Sequence, residues 1–287
     1  MSRFAIAAVL AMLAFASNSI LCRMALGGTH IDPATFTSVR LVTGAATMWI
    51  LVRMSRGRLG KAGDWGSAFA LLVYAVAFSF AYVGVTTGTG ALLLFGAVQL
   101  IMISAGLIAG ERFNPRIALG WILAAAGVAI LVFPGVTAPP LREAVMMLGA
   151  GVAWGVYSLR GRRSDDALRD TAGNFVRAAP GALLISAILW THRSWDPAGA
   201  ILAALSGSLA SGLGYAAWYT ALPRLSAIAA GNAQLSVPVI AAFGGVVLFG
   251  EAVTPRLMVS SVLVLGGIAL ALRQSTRAAR TPTGVVS

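Results

Sequence analysis

Gly110-Glu111-Arg112-Phe113-Asn114-Pro115-Arg116 and Gly250-Glu251-Ala252-Val253-Thr254-Pro255-Arg256 stand 140 residues apart, and their likeness decides how the chain is organised. Gly, Glu, Pro and Arg match at that offset, as does a glycine in the apolar run that follows each, Gly127 against Gly267. Upstream the offset becomes 137, where Ala81-Tyr82 faces Trp218-Tyr219, and Val39-Arg40 with Gly44 faces Val176-Arg177 with Gly181. Near the start, Ala14-Phe15-Ala16-Ser17-Asn18-Ser19 lies opposite Ala153-Trp154-Gly155-Val156-Tyr157-Ser158 at offset 139. Similarity sustained along the chain marks two copies of one structural unit.

The material between these landmarks is apolar. Of 287 residues, 58% are hydrophobic and 10% charged, with mean hydropathy +0.85. A soluble domain carries roughly 25% charged residues, so a soluble globular enzyme is excluded first. Apolar runs between charged or Gly/Pro breaks fall at about 4–22, 34–52, 65–84, 87–109, 115–133, 142–159, 171–190, 198–219, 225–249 and 256–272. Runs of this length without strand alternation predict lipid-embedded helices. The fold expected is all-α, a polytopic membrane protein of ten transmembrane helices. Residues 1–140 form the first five-helix repeat and 141–273 the second, with 274–287 a short, basic, disordered tail. Five spans is an odd number, so the second repeat enters the membrane in the opposite sense. Inverted repeats of this kind commonly build transporters with a central substrate site.

The first run also has marks of a secretory signal peptide, with Arg3 ahead of it and Ala14-Phe15-Ala16 before Ser17. Its counterpart in the second half argues for a retained span. Cys22 is the single cysteine, so an internal disulfide is excluded.

The net charge of +12 would point to nucleic acid in a soluble protein. Sorting it by loop gives another reading. With the N-terminus cytoplasmic, fifteen basic residues lie on the inner side: Arg3, the Arg53–Lys61 group, Arg112, Arg116, the Arg160–Arg169 group, Arg224, and Arg273, Arg277 and Arg280. Four, Arg23, Arg142, Arg193 and Arg256, lie outside. That asymmetry satisfies the positive-inside rule with both termini cytoplasmic. The loops are too short to present a nucleic-acid surface.

The Gly-Glu-x-x-x-Pro junctions, Ala153-Trp154-Gly155 and Leu235-Ser236-Val237-Pro238-Val239 resemble the drug/metabolite transporter superfamily, in its ten-helix EamA-type branch. The resemblance covers nearly the whole chain. Within the branch the chain is most similar to YddG-type exporters of aromatic amino acids. The first half departs from the pattern, with Ala14-Phe15-Ala16 for Trp-Gly and Val98 where the second half has Pro238. The resemblance implies a bacterial inner-membrane exporter. Its substrates would be small amphipathic metabolites, aromatic and other neutral amino acids foremost.

The acidic residues and both histidines map to interfaces or loops, away from the positions a proton relay needs. Mid-span positions carry neutral polar and aromatic side chains instead. The substrate-binding candidates are Asn18, Ser79, Tyr82, Gln99, Trp154, Tyr157, Tyr215, Trp218, Asn232 and Gln234. Amides both donate and accept, as a zwitterion requires, and Tyr and Trp offer faces for an aromatic ring or an ammonium. Amides also serve as interhelical glue, and Tyr and Trp as interfacial belts. Trp49, Trp65, Trp121, Trp190 and Trp195, near span ends, read as belt. Arg40 and Arg177 occupy equivalent places: either could snorkel to an interface or, facing inward, attract a substrate carboxylate, and a structural role is favoured, with neither placed in the direct shell of a substrate. Glycines and Pro238 in the fourth and ninth runs suit close helix approach or plain packing.

Neither a P-loop nor a cluster with metal-ligand spacing is present, so no cofactor, metal or nucleotide is implied. The expected function is alternating-access export without a proton-carrying carboxylate, and without enzymatic activity. Multidrug or other metabolite export on the same fold remains the alternative, with a channel or integral-membrane enzyme behind it. The oligomeric state is open.

Overall fold

The computed structural model describes residues 3–55, 59–60, 62–108, 115–162, 164–221 and 233–278. Among these the regular structure is helical. The elements are α1 (Arg3–Gly28), α2 (Pro33–Met54), α3 (Trp65–Ala81), α4 (Thr87–Ile108), α5 (Pro115–Val132), α6 (Leu141–Gly161) and α7 (Ala167–Ile188). After a 3₁₀ turn at Trp190–His192 come α8 (Pro197–Ala221), α9 (Ser236–Phe249) and α10 (Pro255–Ala278).

Local chemistry sets the helix starts. Asp32, Asp64, Asp166 and Asp196 cap α2, α3, α7 and α8, each carboxylate accepting backbone N–H bonds from the first turn. Proline at the first position of α2, α5, α8 and α10 lacks a donor that would be orphaned there anyway. Gly250 ends α9 with φ +63°, a left-handed conformation that glycine adopts without a Cβ penalty.

Among the described residues, five helices are long and apolar enough to cross a membrane, and α3, α9 and most of α10 are shorter apolar helices. The exterior is apolar: Trp49, Phe69, Leu184, Phe243 and Val262 are all exposed. Water would not tolerate so continuous an apolar surface, whereas hydrocarbon does. The five Trp residues assigned to the belt are exposed too.

Inside, small residues bring backbones together. α5 packs along α10, where a Cβ on Gly120 would strike the Gly267 carbonyl and one on Gly127 the Ser260 carbonyl. α2 packs on α7, α3 on α6, α1 on α8, and α4 on α6 and α9. The middle of α8, Ser206–Leu213, is a π-helix of eight residues. There Gly207 lies against the Arg40 carbonyl and Thr43 hydroxyl of α2, leaving no room for a side chain. Such wide turns are rare and concentrate at functional sites.

Apart from the ninth run's start, expected at 225 where residues 222–232 lie outside the described residues, three boundaries differ by four residues or more from those read in the sequence. α1 continues past 22 to Gly28, so Arg23 lies within a helix and not in a loop. α7 begins at Ala167, four residues before 171, where the Asp166 cap starts it. α10 runs through 274–278, part of the stretch expected to be disordered, because neither Gly nor Pro interrupts it there. Residues 279–287 lie outside the described residues.

At one end, the α2–α3 connection is tied to α6 and α7. Arg160 meets Asp64 at 2.6 Å and Ser67 at 3.0 Å, while Asp170 and Asn174 accept from the Gly63 and Asp64 amides. Partial desolvation opposes ionisation of Asp64, but the Ser67 donors and Arg160 outweigh it and hold the carboxyl down at about 2. A carboxyl depressed on folding stabilises fully above its unfolded value, about 3.9, and stops doing so as pH falls through 2. The melting-temperature gap between wild type and Asp64→Asn, which keeps a capping oxygen, is therefore constant from pH 7 to about 4 and narrows below. A gap that widens on acidification would contradict this assignment.

Candidate functional site

Where α1, α3, α4, α6 and α8 converge, aromatic side chains enclose a small cavity. Trp154 of α6 is the hub. Its ring centroid lies 4.9 Å from Tyr74, 5.2 Å from Tyr215, 5.3 Å from Tyr157 and 6.5 Å from Phe15. Phe15 meets Tyr215 and Trp218 edge-on at 5.7 and 6.1 Å. Edge-to-face and offset contacts at these separations are favourable, so the box is a packed unit. Leu94 and Phe95 of α4 close one side, and Ala210 and Ser211 of the π stretch another. The enclosed space is about 20 Å³, room for roughly one water molecule. A molecule much larger than water enters this space only if helices move.

One wall is polar. The Asn18 amide donates to the Tyr74 hydroxyl at 3.2 Å and its carbonyl accepts from Ser206 Oγ at 2.6 Å. Arg40 Nη2 donates to the same Tyr74 oxygen at 3.1 Å. A chain Arg40–Tyr74–Asn18–Ser206 thus links α2, α3, α1 and α8 at the depth of the aromatic box.

Of the residues singled out in the sequence, Asn18, Trp154 and Tyr215 line the cavity. Tyr157 stacks on Trp154 and reaches Thr171 at 3.4 Å, and Trp218 touches Phe15; both stand one layer behind. Ser79 donates to the Ala75 carbonyl of its own helix. Tyr82 points toward the start of α4, its hydroxyl 3.4 Å from the Thr87 carbonyl. Gln99 is buried, its Nε2 without a partner among the described residues, and Gln234 is half-buried; neither reaches the cavity wall. Asn232 lies outside the described residues.

Tyr74, Phe78, Phe15 and the π-stretch serines were not anticipated. Tyr74 had a signal available: it lies nine residues after Trp65, about 13.5 Å along a helix and near mid-membrane. The serines had none, because a π turn leaves no periodic trace in eight residues. Arg40 is the larger surprise, being 2% exposed in the core. Arg177, its counterpart, donates instead to the Ala62 and Gly173 carbonyls near the start of α7 and lies 5.8 Å from the Trp65 ring.

At the opposite end from the Asp64 ties, Glu251 closes the bundle. Its carboxylate accepts from the Thr87 amide at 2.8 and 2.9 Å and from its hydroxyl at 3.1 Å, at the start of α4. Arg23 of α1 meets it at 3.4 Å and also donates to the Tyr82 carbonyl. Glu251→Gln removes the charge from this junction. The expected cost is about 1–2 kcal/mol, seen as a melting temperature lowered by about 2–8 °C. An unchanged melting temperature would remove the junction's role. Each described acidic residue sits, like Glu251, at a helix start or in a connection. Asp196, capping α8, is held below the usual carboxylate range by the Gly199 amide.

Comparison with known proteins adds a family model, three relatives and a solved structure. Residues 141–273 match the model of the EamA-like transporter family. An uncharacterized protein of Pseudomonas aeruginosa is 52% identical over 92% of both chains. A probable terminal-alkyne amino-acid exporter of Streptantibioticus cattleyicolor is 26% identical over 90% of this chain and 88% of its own. The threonine/homoserine exporter RhtA of Escherichia coli is 31% identical over 49% of this chain and 47% of its own. A crystal structure of 18% sequence identity superposes on 97% of this chain and 99% of its own with TM-score 0.67, so the fold has an experimental counterpart.

Proposed function

Because residues 141–273 are an EamA-like transporter family domain, we propose that the chain is a bacterial inner-membrane carrier exporting small amphipathic metabolites, aromatic amino acids foremost, by alternating access. The observation that carries the reading is the aromatic box around Trp154, joined to the Asn18–Tyr74 wall. Ring faces suit an aromatic side chain, and hydroxyl and amide groups suit the charged end of an amino acid.

The halves act as inverted repeats. Supporting this, exchanging first-half helices for their second-half counterparts maps the observed packing onto itself. α3 on α6 becomes α8 on α1, and α2–α7, α4–α9 and α5–α10 map onto themselves. At the α5–α10 seam, Gly120 against Gly267 becomes Ser260 against Gly127. Two halves so related rock about a shared centre, opening the box alternately to each side. Both termini are cytoplasmic, so the Glu251 junction is the outer closure and the Asp64–Arg160 ties are inner ones. The mid-membrane box offers no carboxylate among the described residues, so transport runs down the substrate gradient without a proton.

A second reading has its own support. The named exporters among the relatives handle threonine, homoserine or another amino acid, so smaller neutral amino acids are the alternative cargo. Uptake of labelled Phe, Tyr, Trp, Thr and a cationic drug into proteoliposomes, with and without a pH gradient, separates these. Saturable, counter-transported uptake of the aromatic amino acids is expected, unaffected by the gradient. Transport of threonine alone selects the second reading, strict gradient dependence overturns the uncoupled mechanism, and unsaturable flux makes the protein a channel.

A further inference from the structure

Arg40 is a cation in the wrong place for a merely structural group. It stands seven residues into α2 from Pro33, about 10 Å along the helix axis. Its side chain is buried, and its guanidinium carbon lies 5.2 Å from the centre of the Tyr74 ring and 4.9 Å from that of Phe78. Nη2 is hydrogen-bonded to Tyr74, but Nε and Nη1 have no hydrogen-bond partner among the described residues. Among the described residues, the ion pairs are Arg23–Glu251, Arg160–Asp64 and Arg169–Asp166, and none involves Arg40. A guanidinium does not shed its proton to escape burial. At membrane depth an uncompensated charge is costly, and such groups mark transport pathways.

The surroundings share its polarity. The Tyr74 oxygen accepts from both Arg40 and Asn18. Both its lone pairs are thereby engaged, which leaves its O–H to donate. Ser211 lines the cavity, and its hydroxyl has no partner among the described residues. The wall therefore holds a surplus of donors backed by one full positive charge. Water satisfies hydrogen bonds but does not neutralise that charge.

We infer that this wall is a carboxylate-binding subsite. The Tyr74 hydroxyl donates to the carboxylate of the cargo, and Arg40, seated behind the Tyr74 and Phe78 rings, supplies the compensating charge. The inference rests on the transporter reading and narrows it. Cargo carries a carboxylate, so amino acids and aryl carboxylic acids are admitted. Lipophilic cations are refused, because their charge would face an unneutralised guanidinium. Tyr74 lines the cavity and Arg40 does not, so Arg40 is a positioning residue acting through Tyr74.

The test uses three probes of one shape: 3-phenylpropionate, its neutral amide 3-phenylpropanamide, and phenethylamine, a cation. Binding to the purified full-length protein is read by quenching of tryptophan fluorescence and by thermal shift. Wild type is expected to prefer the carboxylate over the amide by at least about tenfold, with the amine weakest. Arg40→Lys keeps that order, and Arg40→Gln brings the carboxylate-to-amide ratio close to one. A packing defect would weaken all three probes alike and leave the ratio standing. A wild type that binds amide or amine as well as the carboxylate overturns the inference. So does a wild type that binds none of them and also fails to prefer threonine over threoninamide, or an Arg40→Gln protein that keeps the ratio. Should Arg40→Gln not yield monodisperse protein, Tyr74→Phe decides: the ratio falls several-fold, and an unchanged ratio is fatal. Proteoliposome uptake separates the two ideas. Transport of cargo lacking a carboxylate upholds the carrier and overturns the subsite, whereas carboxylate-selective binding without uptake does the reverse.

Discussion

Alanine at position 154 reduces uptake into proteoliposomes by about a hundredfold or more, while phenylalanine there leaves a measurable fraction. The indole touches rings from α1, α3 and α8 as well as Tyr157 of its own helix. Each aromatic pair contributes about 0.5–1.5 kcal/mol beyond plain burial, and truncating a buried Trp costs about 3–5 kcal/mol in a well-packed core. Trp154 is therefore at once a wall of the cavity and the piece that aligns its other walls. Gln99→Leu is the contrasting variant. Gln99 is buried, its amide nitrogen without a partner among the described residues, and does not line the cavity, so its loss changes uptake by no more than about twofold. Undiminished uptake by the Trp154→Ala protein, confirmed monodisperse, would dissociate the aromatic box from transport.

The largest effect on folding belongs to the α5–α10 seam. A Cβ at Gly267 would meet the Gly120 carbonyl, the Ala124 amide nitrogen and Leu123 Cβ together. Two of those three are backbone atoms and cannot rotate away. Gly267→Leu accordingly forces the helices apart, at a cost above about 3 kcal/mol, and monodisperse protein is lost on size-exclusion chromatography. The adjacent Gly266 is a built-in control, since nothing lies within 4 Å of a Cβ there. Gly266→Leu keeps the wild-type elution profile. Equal behaviour of the two variants would mean the seam does not hold the bundle together.

Why the matched glycines of the seam were legible in the sequence and the cavity was not follows from where the information lies. Helix starts are written in short-range chemistry: an Asp ahead of Pro33 or Pro197, or Pro255 after Thr254, is a local signal. The apolar runs are likewise visible one residue at a time. The match of Gly127 with Gly267 survives in the two copies because backbone contact allows no substitute. The cavity wall, by contrast, is made by five helices, and its members are chosen by depth and facing. Tyr82 and Tyr74 share a helix and a chemistry, yet eight residues of rise send Tyr82 to Thr87 and Tyr74 to Asn18. The π stretch at 206–213 shifts the facing of every later residue of α8, so a regular helical count misplaces Ser211 and Tyr215. The surroundings of Arg40 were not legible for a related reason. Its alignment with Arg177 implied a shared role, but Arg177 finds two carbonyls near its helix start and Arg40 finds a tyrosine in the core.

That divergence between equivalent arginines bears on direction. A perfectly symmetrical pair of halves would present the same affinity and the same opening rate to either side of the membrane. With a cation at the centre in one half and near a helix start in the other, the two faces acquire different half-saturation concentrations and different maximal rates. Microscopic reversibility fixes how far this goes. In a carrier with no coupled ion, the ratio of maximal rate to half-saturation is identical in the two directions. Asymmetry in the chain therefore sets the concentration at which flux levels off on each side, and net flow follows the concentration difference of the cargo itself.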